Sequence, residues 1–252
     1  MTPIDNKVSI SLIGDVALNG LFVANATKNR NRFLAISNIL NKSDLVFANL
    51  ETGVKVVNKA NELKVKNGGI IASTTEDVLE EVSKYLNISA YSIANNHIYD
   101  YGDEGVKKTI EVLSKNNIHH SGAGYKEYHT DPVIINQQGI KIAFLAFVDQ
   151  NTNPATPSSN SYFINYFDED NIASQIKNIR NDVDYIIVSI HWGVDYSTYP
   201  TIYQTDVCKK FIDIGANIIM GHHTHTLQPF EKYNEGYIFY SLGQLCYGDY
   251  HK

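Results

Sequence analysis

Residues 185–196 read YIIVSIHWGVDY, a run of strand length and strand composition that stops at a histidine, His191. A short stretch dominated by Ile, Val and Tyr suits a strand covered on both faces, as in a parallel sheet flanked by helices. Comparable runs occupy 8–13, 45–48, 90–94, 140–148, 217–220 and 237–242. Between them, Phe33, Ile36 and Leu40 share one helical face, as do Val78, Val82 and Tyr85, then Val106, Ile110 and Leu113, then Ile172, Ile176 and Ile179. Strands alternating with amphipathic helices predict an α/β protein. Two stretches break the rhythm: the Lys/Asn-rich 52–71, ending in Gly68–Gly69, and 149–162, DQNTNPATPSSNSY. Both read as long loops able to overhang a site. No internal repeat or linker-like shift in composition divides the chain, which reads as one domain over 1–252.

The bulk properties narrow the function. A hydrophobic content of 43% and a charged content of 19% are those of a folded globular protein. A net charge of −6 argues against nucleic acid as a partner, because phosphate contacts need clustered Lys and Arg. Cys208 and Cys246 are the only cysteines, which leaves no disulfide framework and no Cys-rich zinc cluster. The N-terminus has no basic region followed by an apolar stretch, and no window approaches 18 uninterrupted apolar residues, so direct membrane insertion is not expected. As written, the sequence predicts a cytoplasmic protein, or an exported or membrane-associated one if a segment has been removed.

The residues at the ends of the apolar runs point to chemistry. Asp15 follows ISLIG, Asn49 and Glu51 follow LVFA, Asn95, Asn96 and His97 follow YSIA, His191 follows YIIVSI, and His222, His223 and His225 follow IIMG. In α/β sheets the loops at the carboxyl ends of strands converge on one crevice. Carboxylate, amide and imidazole together suit one or two divalent ions, with Mn, Zn or Fe the best matches in the absence of thiolate. Taken singly, each residue has a plainer role: Asp15 as a turn or cap, the asparagines as turn formers, His191 as a buried core histidine. Three histidines within GHHTH are costly to bury without a task, and His223 and His225 can share one side of an extended segment. His119, His120, His129 and His251 lack this placement and read as surface residues.

These motifs, in this order, resemble the calcineurin-like metallophosphoesterases. The resemblance is closer to the CapA/PgsA capsule-synthesis (poly-γ-glutamate biosynthesis) family in SLIGDVAL, DLVFANLE, ANNHIYDYGDEGVKKT, HWGVDY followed by Pro200 and Gln204, GANIIMGHHTHTLQP and YSLG. It implies a four-layer α-β-β-α sandwich with metal held at the strand ends. By the same resemblance the metal ligands are Asp15, Glu51, Asn96, His191, His223 and His225, and His97 is the catalytic or substrate-facing imidazole. Asp100 is expected to orient His97 or to cap the following helix. Asn95, Asp100, Trp192, Asp195, Tyr196 and His222 are the substrate-binding candidates, with core packing the plainer role for Trp192.

Two features depart from the phosphoesterase pattern. The position two residues after Asp15 is Ala17 instead of His, and the second motif is Asn49–Leu50–Glu51. A further difference is Gln244, where the CapA family often has Asn. The activity implied is metal-dependent hydrolysis of a phosphoester or of a poly-γ-glutamate or capsule-related polymer, so the expected partner is a small-molecule or polymer substrate. A non-catalytic polymer-binding or assembly component with a degenerate metal site is the alternative.

Overall fold

The computed structural model describes residues 7–56, 70–125 and 132–248. Along the chain run β1 (Ile10–Ala17), α1 (Leu21–Ala24), α2 (Asn29–Leu40), β2 (Leu45–Leu50), β3 (Gly53–Val54), β4 (Ser73–Thr74), α3 (Glu76–Tyr85), β5 (Ala90–Ser92), α4 (Gly102–Lys115), β6 (His119–Ser121) and β7 (Ala123–Tyr125). Next come β8 (Val133–Gln137), β9 (Ile140–Val148), β10 (Tyr162–Ile164), α5 (Glu169–Ile179), β11 (Tyr185–His191), α6 (Ile202–Asp213), β12 (Ile218–His222), β13 (Phe230–Tyr233), β14 (Gly236–Phe239) and β15 (Gln244–Tyr247). One sheet has the order β15-β1-β2-β5-β6 with every pair parallel. The other, β13-β14-β12-β11-β9-β8, is parallel inside and antiparallel at both edges.

Strand periodicity builds four layers from these elements. In β2, Leu45 and Phe47 face the second sheet, while Val46, Ala48 and Leu50 pack under the helices α2, α3 and α4. In β9, Ile142 and Phe144 meet the first sheet, while Ala143, Leu145 and Phe147 pack against α5 and α6. Phe47 and Phe144 close the gap between the sheets edge to face, with ring centroids 5.1 Å apart. Burial on both faces explains why these strands read as continuous apolar runs. The α-β-β-α sandwich expected from the motifs is therefore the observed fold.

Several boundaries differ from those expected. β1 continues to Ala17, so Asp15 lies inside the strand, where the register shifts between Asp15 and Val16. The run at 90–94 leaves the sheet at Ser92, and that at 237–242 leaves it at Phe239. The edge strands β8 and β13 are additions to the expected set, hidden because they mix polar residues with half-exposed apolar ones. Helix α6 also lacks an obvious stripe, since Ile202 and Tyr203 are exposed while Val207, Cys208 and Phe211 are buried. Its local signal is a capping box, with Thr201 Oγ1 accepting from the Gln204 backbone N–H and the Gln204 side chain accepting from the Thr201 N–H.

Within the first expected loop, Gly53–Val54 pairs with Ser73–Thr74, and 57–69 lie outside the described residues. The second begins with a short 3-10 turn capped by Asp149 and is tied to the start of α4 by the Ser158 N–H donating to Asp103 Oδ1 at 2.9 Å. No described helix is long and apolar enough to cross a membrane.

Of the histidines expected at the surface, His119 is exposed, and His129 and His251 lie outside the described residues. His120 is half-buried, a correction, and burial pushes its pKa from 6.5 down to about 4. A histidine whose folded pKa is depressed contributes stability that is fully present above 6.5 and is lost as pH falls toward about 4. Thermal unfolding between pH 7 and 4 is expected to show a smaller acid-induced fall for His120→Gln than for wild type. Parallel curves for the two proteins would refute this.

Candidate metal centre

Asp15, Glu51, Asn96, His191, His223 and His225 come from distant parts of the sequence and meet at the carboxyl ends of β1, β2, β5, β11 and β12. Five of the six form two triads. In one, Glu51, His191 and His223 offer atoms within 4.8 Å of one another; in the other, Asp15, Glu51 and His225 do so. Glu51 belongs to both. His191 Nε2 lies 3.0 Å from Asn96 Oδ1 and 3.6 Å from Glu51 Oε1. His225 Nδ1 lies 3.5 Å from Asp15 Oδ2 and 3.8 Å from Glu51 Oε2. Sequence order is thus converted to proximity by the parallel topology, which places successive strand ends on the same rim.

The histidine pair does not use strand alternation to share a side, a correction to the extended segment expected. His223 has φ 90° and His225 φ 58°, both left-handed, and the chain bends between them. Such conformations cost roughly 1–3 kcal/mol each in non-glycine residues and persist where surrounding contacts enforce them. Here the His223 N–H donates to Asp15 Oδ2 at 3.3 Å, and the buried Thr224 hydroxyl donates to Ser241 Oγ at 2.9 Å. Gly221, just upstream, lets β12 press directly on the backbone of Tyr240.

The electrostatics suit a cation. Burial works against ionising Asp15, yet its contacts with His222 and His225 hold the carboxyl well below the usual range. Burial pushes the pKa of His191 well down and lowers that of His223, favouring the neutral imidazole that ligates metal. Nε2 of His222 and Nδ1 of His223 are buried without a hydrogen-bond partner among the described residues. Buried polar atoms of this kind call for a partner. Together with the carboxylate, amide and imidazole donors, they fit one or two divalent ions.

A family model described as bacterial capsule synthesis protein PGA_cap matches residues 9–248. The chain belongs to this family. Among relatives of this PGA_cap member are the capsule biosynthesis protein CapA of Bacillus anthracis, 30% identical over 96% of this chain and 60% of that one, and the PGA biosynthesis protein CapA of Bacillus subtilis, 31% identical over 96% and 64%. The chain thus spans about three-fifths of the length of these two relatives. Among solved structures, Haemophilus influenzae NAD nucleotidase is similar in fold, with a TM-score of 0.51 at 17% identity, covering 87% of this chain and 43% of that one.

The remaining candidates of this PGA_cap chain separate by burial. His97 lies beside the cluster with Nδ1 2.7 Å from Asp100 Oδ2. Asp100 also accepts the Ala72 N–H at 2.7 Å and does not cap α4, whose N-cap is Tyr101. Asn95 is buried and braces the site, donating to Leu50 O at 2.7 Å and accepting the His97 N–H at 3.1 Å. Trp192 is a correction to the groove-lining expectation: it is 2% exposed and packs in the core, its ring 5.2 Å from Phe167. His222 is likewise fully buried, with Nδ1 3.2 Å from Asp15 Oδ1, so it stands behind the candidate ligands instead of facing solvent. Asp195 and Tyr196 remain open to solvent at the rim.

Asn49 is not among the ligands or substrate contacts expected from the motifs, yet it sits at the middle of the network. Its Nδ2 donates to Asp15 Oδ1 at 2.8 Å and lies 3.2 Å from His191 Nδ1, while Oδ1 accepts from Asn95 at 3.2 Å. Its position one residue past the expected strand is the available signal. Gln244 proves adjacent to the site, with Nε2 2.9 Å from His225 Nδ1.

Proposed function

We propose that this chain is a metal-dependent hydrolase acting on a phosphoester or on an amide bond of a capsule-related polymer such as poly-γ-glutamate. The observation that carries the reading is the pair of donor triads sharing Glu51, with the His97–Asp100 pair on the loop that also holds Asn96. Asp15, Glu51, Asn96, His191, His223 and His225 would hold the ion or ions. A divalent ion bound there supplies Lewis acidity, making water a stronger nucleophile and offsetting negative charge on the substrate's oxygens. Asp100 accepts the Nδ1–H of His97 and thereby directs the opposite ring edge toward the reacting group. In its imidazolium form, with Nε2 protonated as well, His97 gives the Nε2 proton to the departing oxygen or nitrogen, or stabilises charge developing on it. Asp195 and Tyr196 at the open rim contact the portion of substrate outside the reacting bond. The likeness to capsule and PGA biosynthesis proteins supports an anionic polymer or its precursor as substrate. The chain's own charge of −6 offers such a polymer no general attraction, so recognition is local to the ion-binding cluster.

The test begins with elemental analysis of protein purified without chelator, then turnover on generic phosphoesters and γ-glutamyl peptides. Returning Mn²⁺ to stripped protein should give one tight event and a weak or absent second, because the triad of Asp15, Glu51 and His225 has Ala17 where a further His ligand is usual. Two equally tight events would show that another group completes that position. Metal without turnover on either substrate class would assign the chain to polymer binding or assembly.

A further inference from the structure

We propose that Asp195 is a positioning residue for His223, accepting its Nε2–H so that Nδ1 keeps its lone pair for the buried triad with Glu51 and His191. The inference rests on the metal-site reading above and adds to it a residue from the solvent-exposed rim. His223 Nε2 lies 3.3 Å from Asp195 Oδ1, while His223 Nδ1 is buried and has no hydrogen-bond partner among the described residues. A neutral imidazole carries one N–H and one lone pair, and an ionised carboxylate only accepts. With the carboxylate at Nε2, the proton belongs there and the lone pair belongs at Nδ1. An outer carboxylate that fixes the tautomer of a ligating histidine also strengthens it as a donor.

The backbone holds this pairing in place. Gly193 takes φ 101° two residues after the end of β11, and the Tyr196 N–H donates to Thr224 O at 2.8 Å, clamping the Asp195 turn to the His223–His225 turn. The Asp195 side chain is 59% exposed, so accepting the N–H requires little loss of hydration. The rival role is direct ligation, since Asp195, His223 and His225 also offer donor atoms within 4.8 Å of one another. Ligation through Nε2 would leave Nδ1 buried without a role, whereas ligation through Nδ1 gives both ring nitrogens a partner.

Two measurements on the full chain test this. In metal-free protein, ¹⁵N NMR of the imidazoles should show His223 as the Nε2–H tautomer in wild type and as a mixture in Asp195→Ala. In Co²⁺ titrations, Asp195→Ala should bind roughly 10- to 100-fold more weakly at unchanged stoichiometry, with a shifted visible absorption band. Asp195→Asn, whose amide oxygen still accepts, should fall between. Unchanged tautomer and affinity would overturn the proposal, and loss of a whole equivalent of Co²⁺ would overturn it in favour of direct ligation. If wild type bound no Co²⁺, the metal-site reading would fail, while the NMR result would still decide the Asp195–His223 pairing.

Discussion

His97→Ala is expected to lower turnover by about 10² to 10⁴ while leaving metal content at the wild-type level. The magnitude is that of losing a positioned acid–base group. The separation of effects comes from neighbouring residues on one loop having different tasks. Asn96 directs its amide oxygen to His191, a proposed ligand, whereas His97 is held by Asp100 at 2.7 Å. Removing the imidazole leaves Asp100 with the Ala72 N–H, so the loop retains an anchor. By contrast, His191→Ala or His223→Ala removes a proposed ligand and should lower metal occupancy together with activity. Metal content, thermal unfolding and turnover on the same three variants decide between these roles. Full activity in metal-replete His97→Ala would end the catalytic assignment. A lower unfolding temperature with unchanged turnover per folded molecule would make His97 a packing residue.

Gly221→Ala is expected to destabilise the fold by roughly 3 kcal/mol or more, placing it among the most damaging single-methyl additions available in this chain. A Cβ at this position would lie 1.8 Å from the Tyr240 carbonyl oxygen and 2.5 Å from its carbon. Both are backbone atoms, so no rotamer change relieves the contact. Separating the segments would strain the adjacent Leu242 N–H to Gly221 O hydrogen bond, now 3.0 Å. Since Gly221 immediately precedes His222 and His223, the same displacement would disturb the turn that carries the proposed ligands His223 and His225. Denaturant unfolding measures the first effect, and metal affinity of the surviving folded fraction measures the second. Stability within about 0.5 kcal/mol of wild type, the ordinary range for innocuous substitutions, would show that the strands part at little cost.

The α/β architecture is legible in the sequence because strands buried on both faces are predominantly apolar. The runs at 45–48, 140–148 and 185–190 therefore stand out, and the polar residues at their ends mark the rim where loops converge. The helical faces of Phe33, Val78, Val106 and Ile172 are equally plain, since each repeats apolar residues at the helical period. Edge strands β8 and β13 and the helix α6 are not, because their exposed residues dilute the pattern that burial writes.

For the site, the sequence by itself determined which residue types stand at which strand ends, and in what order. Only the tertiary structure decided which way they face. Asn49 gains its place from Asp15, His191 and Asn95, partners 34, 142 and 46 residues away in the chain. Trp192 and His222 adjoin His191 and His223 in sequence, yet the former packs into the core and the latter stands behind Asp15. His223 and His225 share a side through left-handed turns held by Asp15 and Ser241, from β1 and from the segment before β15. A side chain's direction depends on backbone conformation and on packing partners distant in the chain, and local sequence specifies neither completely.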